Sequence, residues 1–134
     1  MKVLLVDDDE LVRTTMLDML EDAGFEVTEA ASPEEALHRN GVRHPDLLIT
    51  DVDLGSSLNG FDVAAAAHRL WPAVRVLLIS GLPFDRTGQE LDLRDHYLRK
   101  PFSGSGLLQA ISRLVDGAFT PPPEVDRTKG FDRR

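Results

Sequence analysis

Short apolar runs alternate with longer amphipathic segments along this chain, and the alternation limits the folds it can adopt. The apolar runs have the length of buried β-strands, and they cover residues 2–6, 25–29, 47–50, 74–79 and 97–98. Most of the segments between them repeat apolar residues at helical spacing. Strands that alternate with helices predict a parallel sheet covered by helices on both faces. Right-handed crossovers then leave few topologies.

Capping residues mark where the second and last helices are expected to begin. Ser32 can cap a helix, Pro33 suits its first turn, and Glu35 stands where a capping box requires it. Ser103 can cap the last helix in the same way. The apolar stripe expected on the third helix consists of Phe61, Ala64, Ala67 and Leu70.

Two regions have weak signals for regular structure. The segment 82–96 should hold a fourth helix, but it contains proline, glycine and many charges, so we expect a short or irregular helix there. After Gly117 the periodic pattern stops, and three consecutive prolines and a charged stretch follow. We therefore expect one domain over residues 1–117 and a flexible tail over 118–134.

Composition excludes several classes of protein. A length of 134 residues fits one domain, and the absence of cysteine excludes disulfides and thiolate metal sites. The formal net charge of -8 argues against a nucleic-acid interface, because phosphate binding needs a basic surface. No apolar run is long enough to span a membrane, and the N-terminus lacks the pattern of a secretory signal. These features favour the cytoplasm.

Polar residues follow four of the five expected strands at their carboxyl ends. In open parallel sheets, ligands bind beyond this edge. The second strand contributes nothing notable. The residues delivered by the other strands are Asp7, Asp8, Asp9 and Glu10, then Asp51 and Asp53, then Ser80 and Gly81, and finally Lys100 and Pro101.

Each of these residues also has an ordinary structural interpretation. Asp8 or Asp9 can simply cap the first helix, and Ser80 with its following glycine can form a turn. Lys100 alone is more often a solvated charge, and Tyr97 a core aromatic with its hydroxyl at the surface. Only the combination is specific, because the ordinary interpretations do not require every residue to stand at a strand's carboxyl end.

The combination has a coherent chemistry. Several neighbouring carboxylates repel one another, and Mg²⁺, which prefers oxygen ligands, relieves that repulsion. A carboxylate can also act as a nucleophile and form an aspartyl phosphate. Phosphoryl transfer needs mainly positioning and neutralisation of the moving oxygens, and Ser80 and Lys100 offer a hydroxyl and a positive charge for this purpose.

The same residues resemble those of bacterial response-regulator receiver domains over most of the chain. The anchors of the resemblance are the run Val6, Asp7, Asp8 and Asp9, then Asp51, then Ser80 and Gly81, and then Lys100, Pro101 and Phe102. The resemblance implies the flavodoxin-like fold, a doubly wound α/β sheet of five parallel strands in the order 2-1-3-4-5. In that order the first and third strands are neighbours.

The resemblance also implies a role for each site residue. Asp51 would be the phosphoryl acceptor, and Ser80 would be the switch hydroxyl that closes on the phosphoryl group. Lys100 would pair with that group and precede a cis peptide bond to Pro101, while the rotamer of Tyr97 would track phosphorylation. The ligands of Mg²⁺, or of Mn²⁺, would be Asp7, Asp8, Asp51 and the backbone carbonyl of Asp53.

A protein of this kind would be a signalling switch and not an enzyme. Its phosphoryl donor would be a phosphohistidine of a histidine kinase or of a histidine phosphotransfer protein. Phosphorylation would shift the face formed by residues 82–102, where a downstream protein target of unknown identity would bind. We expect no nucleic-acid or membrane partner, and either a monomer or a weak homodimer.

The sequence departs from the commonest family pattern in three places. The loop 51–60 is one residue longer than usual and is similar to that of receivers associated with hybrid kinases. The region of the fourth helix is poor in helix signals. No output domain is expected, because the tail is too short for one.

Two other functions remain open at this point. The Asp51-Val52-Asp53 motif is similar to that of haloacid-dehalogenase-type phosphatases, although that interpretation leaves Asp7 and Asp8 unexplained and needs a longer chain. A binding module with the receiver fold that is never phosphorylated is the second alternative. Such family members have lost an acid or the lysine, and this sequence retains them.

Overall fold

The computed structural model describes residues 1–38, 44–84, 91–92 and 94–116, and within them it contains one five-stranded parallel sheet. The strands are β1 (Lys2–Val6), β2 (Glu26–Ala30), β3 (Leu47–Asp51), β4 (Arg75–Ser80) and β5 (Asp95–Arg99). Their order in the sheet is β2-β1-β3-β4-β5, and every neighbouring pair is parallel. The predicted flavodoxin-like topology is therefore confirmed.

Four helices of the described residues cover the sheet, two on each face. They are α1 (Glu10–Asp22), α2 (Pro33–His38), α3 (Gly60–Leu70) and α4 (Gly104–Asp116). Alternate residues of β1 point to opposite faces, as the pleat requires. Val3 and Leu5 pack in the core beneath α1 and α4, whereas Leu4 and Val6 pack in the core beneath α2 and α3. Burial on both faces explains the continuous apolar runs in the sequence.

Side-chain caps fix the helix starts that border the carboxyl edge of the sheet. The carboxylate of Asp9 accepts hydrogen bonds from the amides of Leu11 and Val12 at 3.0 and 3.2 Å, so the capping interpretation holds for Asp9. Asn59 and Asp62 form a reciprocal capping box at the start of α3. These caps set where the helices leave the turns that carry the acidic residues.

The predicted caps of α2 and α4 are both confirmed. The hydroxyl of Ser103 accepts from the amide of Gly106 at 2.9 Å. Ser32 accepts from the amide of Glu35 at 3.1 Å, and the Glu35 carboxylate accepts from the amide of Ala31 at 2.7 Å. Local sequence therefore determines both of these helix starts.

One apolar position was predicted wrongly, and several predictions lie outside the described residues. Leu70 is 52% exposed, because the buried face of α3 is formed by Gly60, Val63, Ala64 and Ala67. The last strand begins at Asp95, within the segment predicted to hold an irregular helix. Residues 85–90 and 93 of that segment lie outside the described part of the chain, as does the predicted tail 118–134.

None of the helices among the described residues combines the length and the apolar character that crossing a membrane requires.

Candidate functional site

Three acidic residues from two neighbouring strands meet at the carboxyl edge of the sheet. Val6 pairs with Thr50, so the residues that follow them along β1 and β3 also lie side by side. Asp7 and Asp51 are only 3% and 8% exposed, whereas Asp8 is exposed. One carboxylate oxygen from each of the three lies within 4.8 Å of the others. The predicted acidic cluster is thus present, in a geometry that a single cation could bridge.

Lys100 brings a positive charge to this cluster from the end of β5. Its Nζ donates to Oδ2 of Asp51 at 2.9 Å, and its amide donates to the carbonyl of Ser80 at 2.8 Å. Burial opposes the charged form of Lys100, but the hydrogen bond and the charge of Asp51 outweigh it and raise the pKa of Lys100. The peptide bond from Lys100 to Pro101 is cis, as the resemblance implied.

Asp7 is the acid of the cluster whose pKa is clearly shifted. Burial raises the pKa of Asp7 above its ordinary value, and the neighbouring charges of Asp51 and Asp8 add to the effect. The amide of Asp9, which donates to Oδ1 of Asp7 at 2.9 Å, and the ammonium of Lys100 act in the opposite direction. Burial and the clustered acids thus disfavour the ionised form of Asp7, and an added cation would stabilise that form.

Ser80 and Tyr97, the two predicted switch residues, are both hydrogen-bonded to Leu82. The hydroxyl of Ser80, which is 6% exposed at the end of β4, accepts from the amide of Leu82 at 3.1 Å. The hydroxyl of Tyr97 donates to the carbonyl of Leu82 at 2.7 Å. The Tyr97 ring also packs against Phe61 and Phe84, with centroid distances of 6.4 and 5.2 Å. A single residue therefore connects Ser80 to the aromatic cluster.

The loop after β3 wraps closely around the acidic residues. The amide of Asp53 donates to Oδ1 of Asp51 at 3.3 Å, whereas the role of its carbonyl as a metal ligand stays a prediction. Gly55 has a φ of +62°, and a Cβ on it would lie 2.9 Å from Oδ2 of Asp8. A Cβ on Gly60 would lie 2.5 Å from the carbonyl oxygen of Asp51. Glycine is needed at both positions for the backbone to approach the acids.

Arg13 is a contributor to the site that the sequence analysis missed. Its Nη1 donates to the backbone carbonyl of Asp7 at 2.7 Å, and its Nε donates to Oε1 of Glu29 at 3.1 Å. Glu29 belongs to β2, the strand from which nothing notable was expected. No local signal distinguishes Arg13 from the solvated charges that helices commonly carry, because its partners are a backbone carbonyl and a side chain from another element.

A second group of possible metal ligands lies among the described residues, at the start of β5. It consists of His68, Asp92 and Asp95, with Nε2 of His68 lying 2.7 Å from Oδ1 of Asp95. Arg94 already occupies both carboxylate oxygens of Asp92 at 2.9 Å, and these hydrogen bonds hold the pKa of Asp92 well below its usual range. Burial raises the pKa of Asp95, and the hydrogen bond to His68 opposes that rise. Both carboxylates therefore have partners within the protein, whereas the buried Nδ1 of His68 has no hydrogen-bond partner among the described residues.

Comparison with known families agrees with the arrangement at the carboxyl edge. A family profile described as the response regulator receiver domain matches residues 3–112. The chain belongs to the response-regulator receiver family. The matched range spans Asp7, Asp8, Asp51, Ser80 and Lys100, together with β2 to β5 and all of β1 except Lys2.

Curated relatives of this receiver domain differ in length. Protein PilG of Pseudomonas aeruginosa is 31% identical over 130 residues, which cover 93% of this chain and 94% of PilG. The transcriptional regulatory protein PdtaR of Mycobacterium tuberculosis is 32% identical over 117 residues, which cover 85% of this chain and 56% of PdtaR. The receiver domain thus spans nearly all of the first relative but only about half of the second.

Solved structures show the same fold. A response regulator receiver protein from Sinorhizobium medicae superposes with a TM-score of 0.78 at 28% identity, covering 87% of this chain and 95% of the other. The chemotaxis response regulator CheY4 of Vibrio cholerae superposes with a TM-score of 0.74 at 30% identity, covering 84% of this chain and 97% of the other.

Proposed function

We propose that this receiver domain is a cytoplasmic signalling switch that accepts a phosphoryl group on Asp51. The observation that carries the proposal is the meeting of the Asp7, Asp8 and Asp51 carboxylates with the ammonium of Lys100 at one edge of the sheet. Four charged groups from three strand ends are more than helix capping or sheet stability requires. Together they supply a nucleophile, a cation site and a fixed positive charge.

The residues present fit a divalent metal ion. Asp7, Asp8 and Asp51 would hold Mg²⁺ or Mn²⁺, with the backbone carbonyl of Asp53 as a further oxygen ligand. Burial and the neighbouring acids raise the pKa of Asp7, so a bound cation would favour its ionised form. When bound, the ion would supply charge neutralisation of the phosphoryl oxygens.

The phosphoryl transfer itself follows from the position of Asp51. A carboxylate oxygen of Asp51 attacks the phosphorus of a phosphohistidine, an O–P bond forms, and the N–P bond to the imidazole breaks. The imidazole nitrogen takes the electron pair of that bond. Lys100 already lies against Asp51, so its ammonium can follow the negative charge onto the phosphoryl oxygens.

The structure of the switch residues supports a route from Asp51 to the surface. In the described arrangement the hydroxyl of Ser80 accepts from Leu82, and Leu82 accepts from Tyr97. The Ser80 hydroxyl accepts in this bond and keeps its own O–H as a donor. If Ser80 changes rotamer to donate that O–H to the phosphoryl group, its Oγ moves relative to the amide of Leu82 and the hydrogen bond between them changes. We infer that this change shifts the populations of the face formed by residues 82–102, where Tyr97 lies.

The proposed partners follow from this chemistry. A histidine kinase or a histidine phosphotransfer protein would donate the phosphoryl group, and an unknown protein target would bind the 82–102 face. We propose that residues 1–117 form the working domain, as a monomer or a weak homodimer. Slow loss of the phosphoryl group would not make the protein an enzyme in the usual sense.

Exposure to acetyl phosphate and Mg²⁺, followed by intact mass measurement, tests the proposal. We expect the wild type to gain the mass of one phosphoryl group and Asp51→Asn to gain none. Asp46→Asn is the matched control, because Asp46 lies at the opposite end of β3, where its carboxylate accepts from the amide of Lys2. That variant should be phosphorylated like the wild type.

The alternatives predict different results in the same experiment. A binding module that is never phosphorylated would gain no mass even at high acetyl phosphate, and the proposal would then be wrong. A phosphatase of the haloacid-dehalogenase type would turn over a generic phosphate ester many times in the presence of Mg²⁺. Mass gain that persists in Asp51→Asn would place the acceptor on another residue.

A further inference from the structure

We propose that Arg13 is a positioning residue for the acidic cluster, acting through the backbone of Asp7, and that Glu29 of β2 holds Arg13 in place. This inference deepens the proposed function and rests on its metal site. It assigns a role to the edge strand β2, which contributes no residue to the proposed phosphoryl-transfer chemistry.

Residues of β2 hold both polar groups of the Asp7 backbone, the amide directly and the carbonyl through Arg13. The amide of Asp7 donates to the carbonyl of Ala30 at 3.2 Å, which continues the hydrogen bonding between β1 and β2. The carbonyl of Asp7 accepts from Nη1 of Arg13 at 2.7 Å, and Arg13 is in turn paired with Glu29 at 3.1 Å. Ala30 and Glu29 are adjacent, so two consecutive residues of β2 determine where Asp7 lies.

The short distance to a charged donor makes the second contact more than an ordinary surface interaction. Asp7 is only 3% exposed, and the Arg13 side chain is 15% exposed, so water has limited access to this carbonyl. A buried carbonyl that loses a charged donor loses more free energy than an exposed one. Arg13 therefore fixes the plane of the peptide group between Asp7 and Asp8.

That peptide plane determines the relative positions of the two acids. Asp7 and Asp8 are consecutive, and the orientation of the peptide between them sets how the Asp8 side chain leaves the turn. The other side of the turn is fixed by the amide of Asp9, which donates to Oδ1 of Asp7 at 2.9 Å. With Arg13 in place, one oxygen from each of Asp7, Asp8 and Asp51 stays within 4.8 Å of the others.

The contacts of the Arg13 guanidinium point to an effect on geometry. It donates to the backbone carbonyl of Asp7 and to the carboxylate of Glu29, and neither contact involves a carboxylate of the acidic cluster. Replacing Arg13 should therefore weaken metal binding by loosening the turn. Outer partners of metal ligands typically contribute about 10-fold or more to metal affinity.

Direct Mn²⁺ binding, followed by the electron paramagnetic resonance signal of the free ion, tests the proposal without any phosphorylation step. We expect Arg13→Met to bind Mn²⁺ about 10-fold more weakly than the wild type. Arg13→Lys, which keeps one donor for the Asp7 carbonyl, should recover part of the loss. Glu29→Gln keeps an acceptor for Arg13, so this variant should lose less Mn²⁺ affinity than Arg13→Met.

Arg94 provides a matched control. Like Arg13, it bonds both a carboxylate, that of Asp92, and a backbone carbonyl, that of Pro72 at 2.6 Å, but it does so at the start of β5. Arg94→Met should bind Mn²⁺ as tightly as the wild type. A melting curve for each variant without divalent ions separates loss of fold from loss of metal affinity.

The outcomes separate this inference from the proposed function. If Arg13→Met binds Mn²⁺ within twofold of the wild type, or if Arg94→Met loses as much affinity as Arg13→Met, Arg13 has only a structural role. If the wild type itself binds no Mn²⁺, the metal site and the role of Arg13 both fail. If Mn²⁺ binding behaves as expected but Asp51 accepts no phosphoryl group, only the proposed function fails.

Discussion

The ammonium nitrogen of Lys100 lies 2.9 Å from Oδ2 of Asp51, although 49 positions separate the two residues in the chain. β4 lies between the strands that end at these residues, so the lysine side chain reaches across the carboxyl end of β4 to meet the carboxylate. This pair balances one of the three clustered negative charges. Asp7 and Asp8 leave the cluster with an excess of negative charge.

Mg²⁺ should stabilise the protein against heat. At the proposed site it would bind only the assembled acids of the folded state, so at about ten times its dissociation constant it should add roughly 1.4 kcal/mol to the free energy of unfolding. Scanning calorimetry should show a rise in Tm of about 4 °C for a domain of this size. NaCl at equal ionic strength is the control. If Mg²⁺ leaves the Tm of Asp8→Asn unchanged, the result supports the site. If Mg²⁺ raises the Tm of Asp8→Asn as much as that of the wild type, the ion binds elsewhere.

Asp7→Asn should stabilise the protein in the absence of divalent ions. The substituted amide side chain would keep an oxygen to accept from the amide of Asp9, while removing a buried charge beside Asp51 and Asp8. The gain at neutral pH should be roughly 1 kcal/mol. Chemical denaturation in EDTA measures it, with Asp22→Asn at the exposed end of α1 as the control. A loss of stability would mean that the Asp7 charge is well compensated.

The stability of the wild type should also depend on pH through Asp7. Its pKa is raised in the folded state, so the folded state holds the proton more tightly than the unfolded state does. Stability is therefore lost as the pH rises from the ordinary value of 3.8 through the raised value. Denaturation curves across this pH range should show that Asp7→Asn loses less free energy of unfolding than the wild type does. Parallel curves for the two proteins would contradict the assignment.

Ser80→Ala should leave phosphorylation of Asp51 intact but weaken the response of the face formed by residues 82–102, where Tyr97 lies. The variant loses the hydroxyl that accepts from Leu82, so phosphorylation can no longer act on Leu82 through that group. Chemical shifts of Leu82 and Tyr97, recorded with and without beryllium fluoride and Mg²⁺, measure the response. We expect the shift changes to fall to less than about half. Changes equal to those of the wild type would rule out this route.

Gly60→Ala should destabilise the protein and disturb the loop around Asp51. The added Cβ would lie 2.5 Å from the carbonyl oxygen of Asp51 and 2.8 Å from Cα of Val52, so the backbone must move. The expected cost is about 3 kcal/mol. Gly81→Ala is the control in the same denaturation experiment, because a Cβ on Gly81 meets no atom within 4 Å. Equal stability of the two variants would contradict the close approach.

Local sequence accounts for the elements and for several of their ends. The apolar runs specify buried strands because both faces of the sheet are covered, and Asp9 and Ser103 cap α1 and α4 through atoms only two or three residues away. The one wrong apolar position, Leu70, stands at the end of α3, where the next residue, Trp71, packs against the core instead.

The candidate site was predictable only in part. Asp7, Asp8, Asp51, Ser80 and Lys100 stand at strand ends, and the parallel topology brings strand ends to one edge. Arg13 and Glu29 could not be found in this way, because their partners are a backbone carbonyl and a side chain from separate elements. A backbone carbonyl has no sequence signature.

The amino-acid sequence by itself determined the order of strands and helices, the caps, and which chemical groups reach the carboxyl edge, because these depend on local periodicity and on topology. Only the tertiary structure decided that Leu82 links Ser80 to Tyr97, that Gly60 packs against Asp51, and that β2 holds Asp7 through Arg13. These contacts depend on how separate segments pack together, to within a few tenths of an ångström. The residue pattern of one segment does not specify the distances between its atoms and those of another segment.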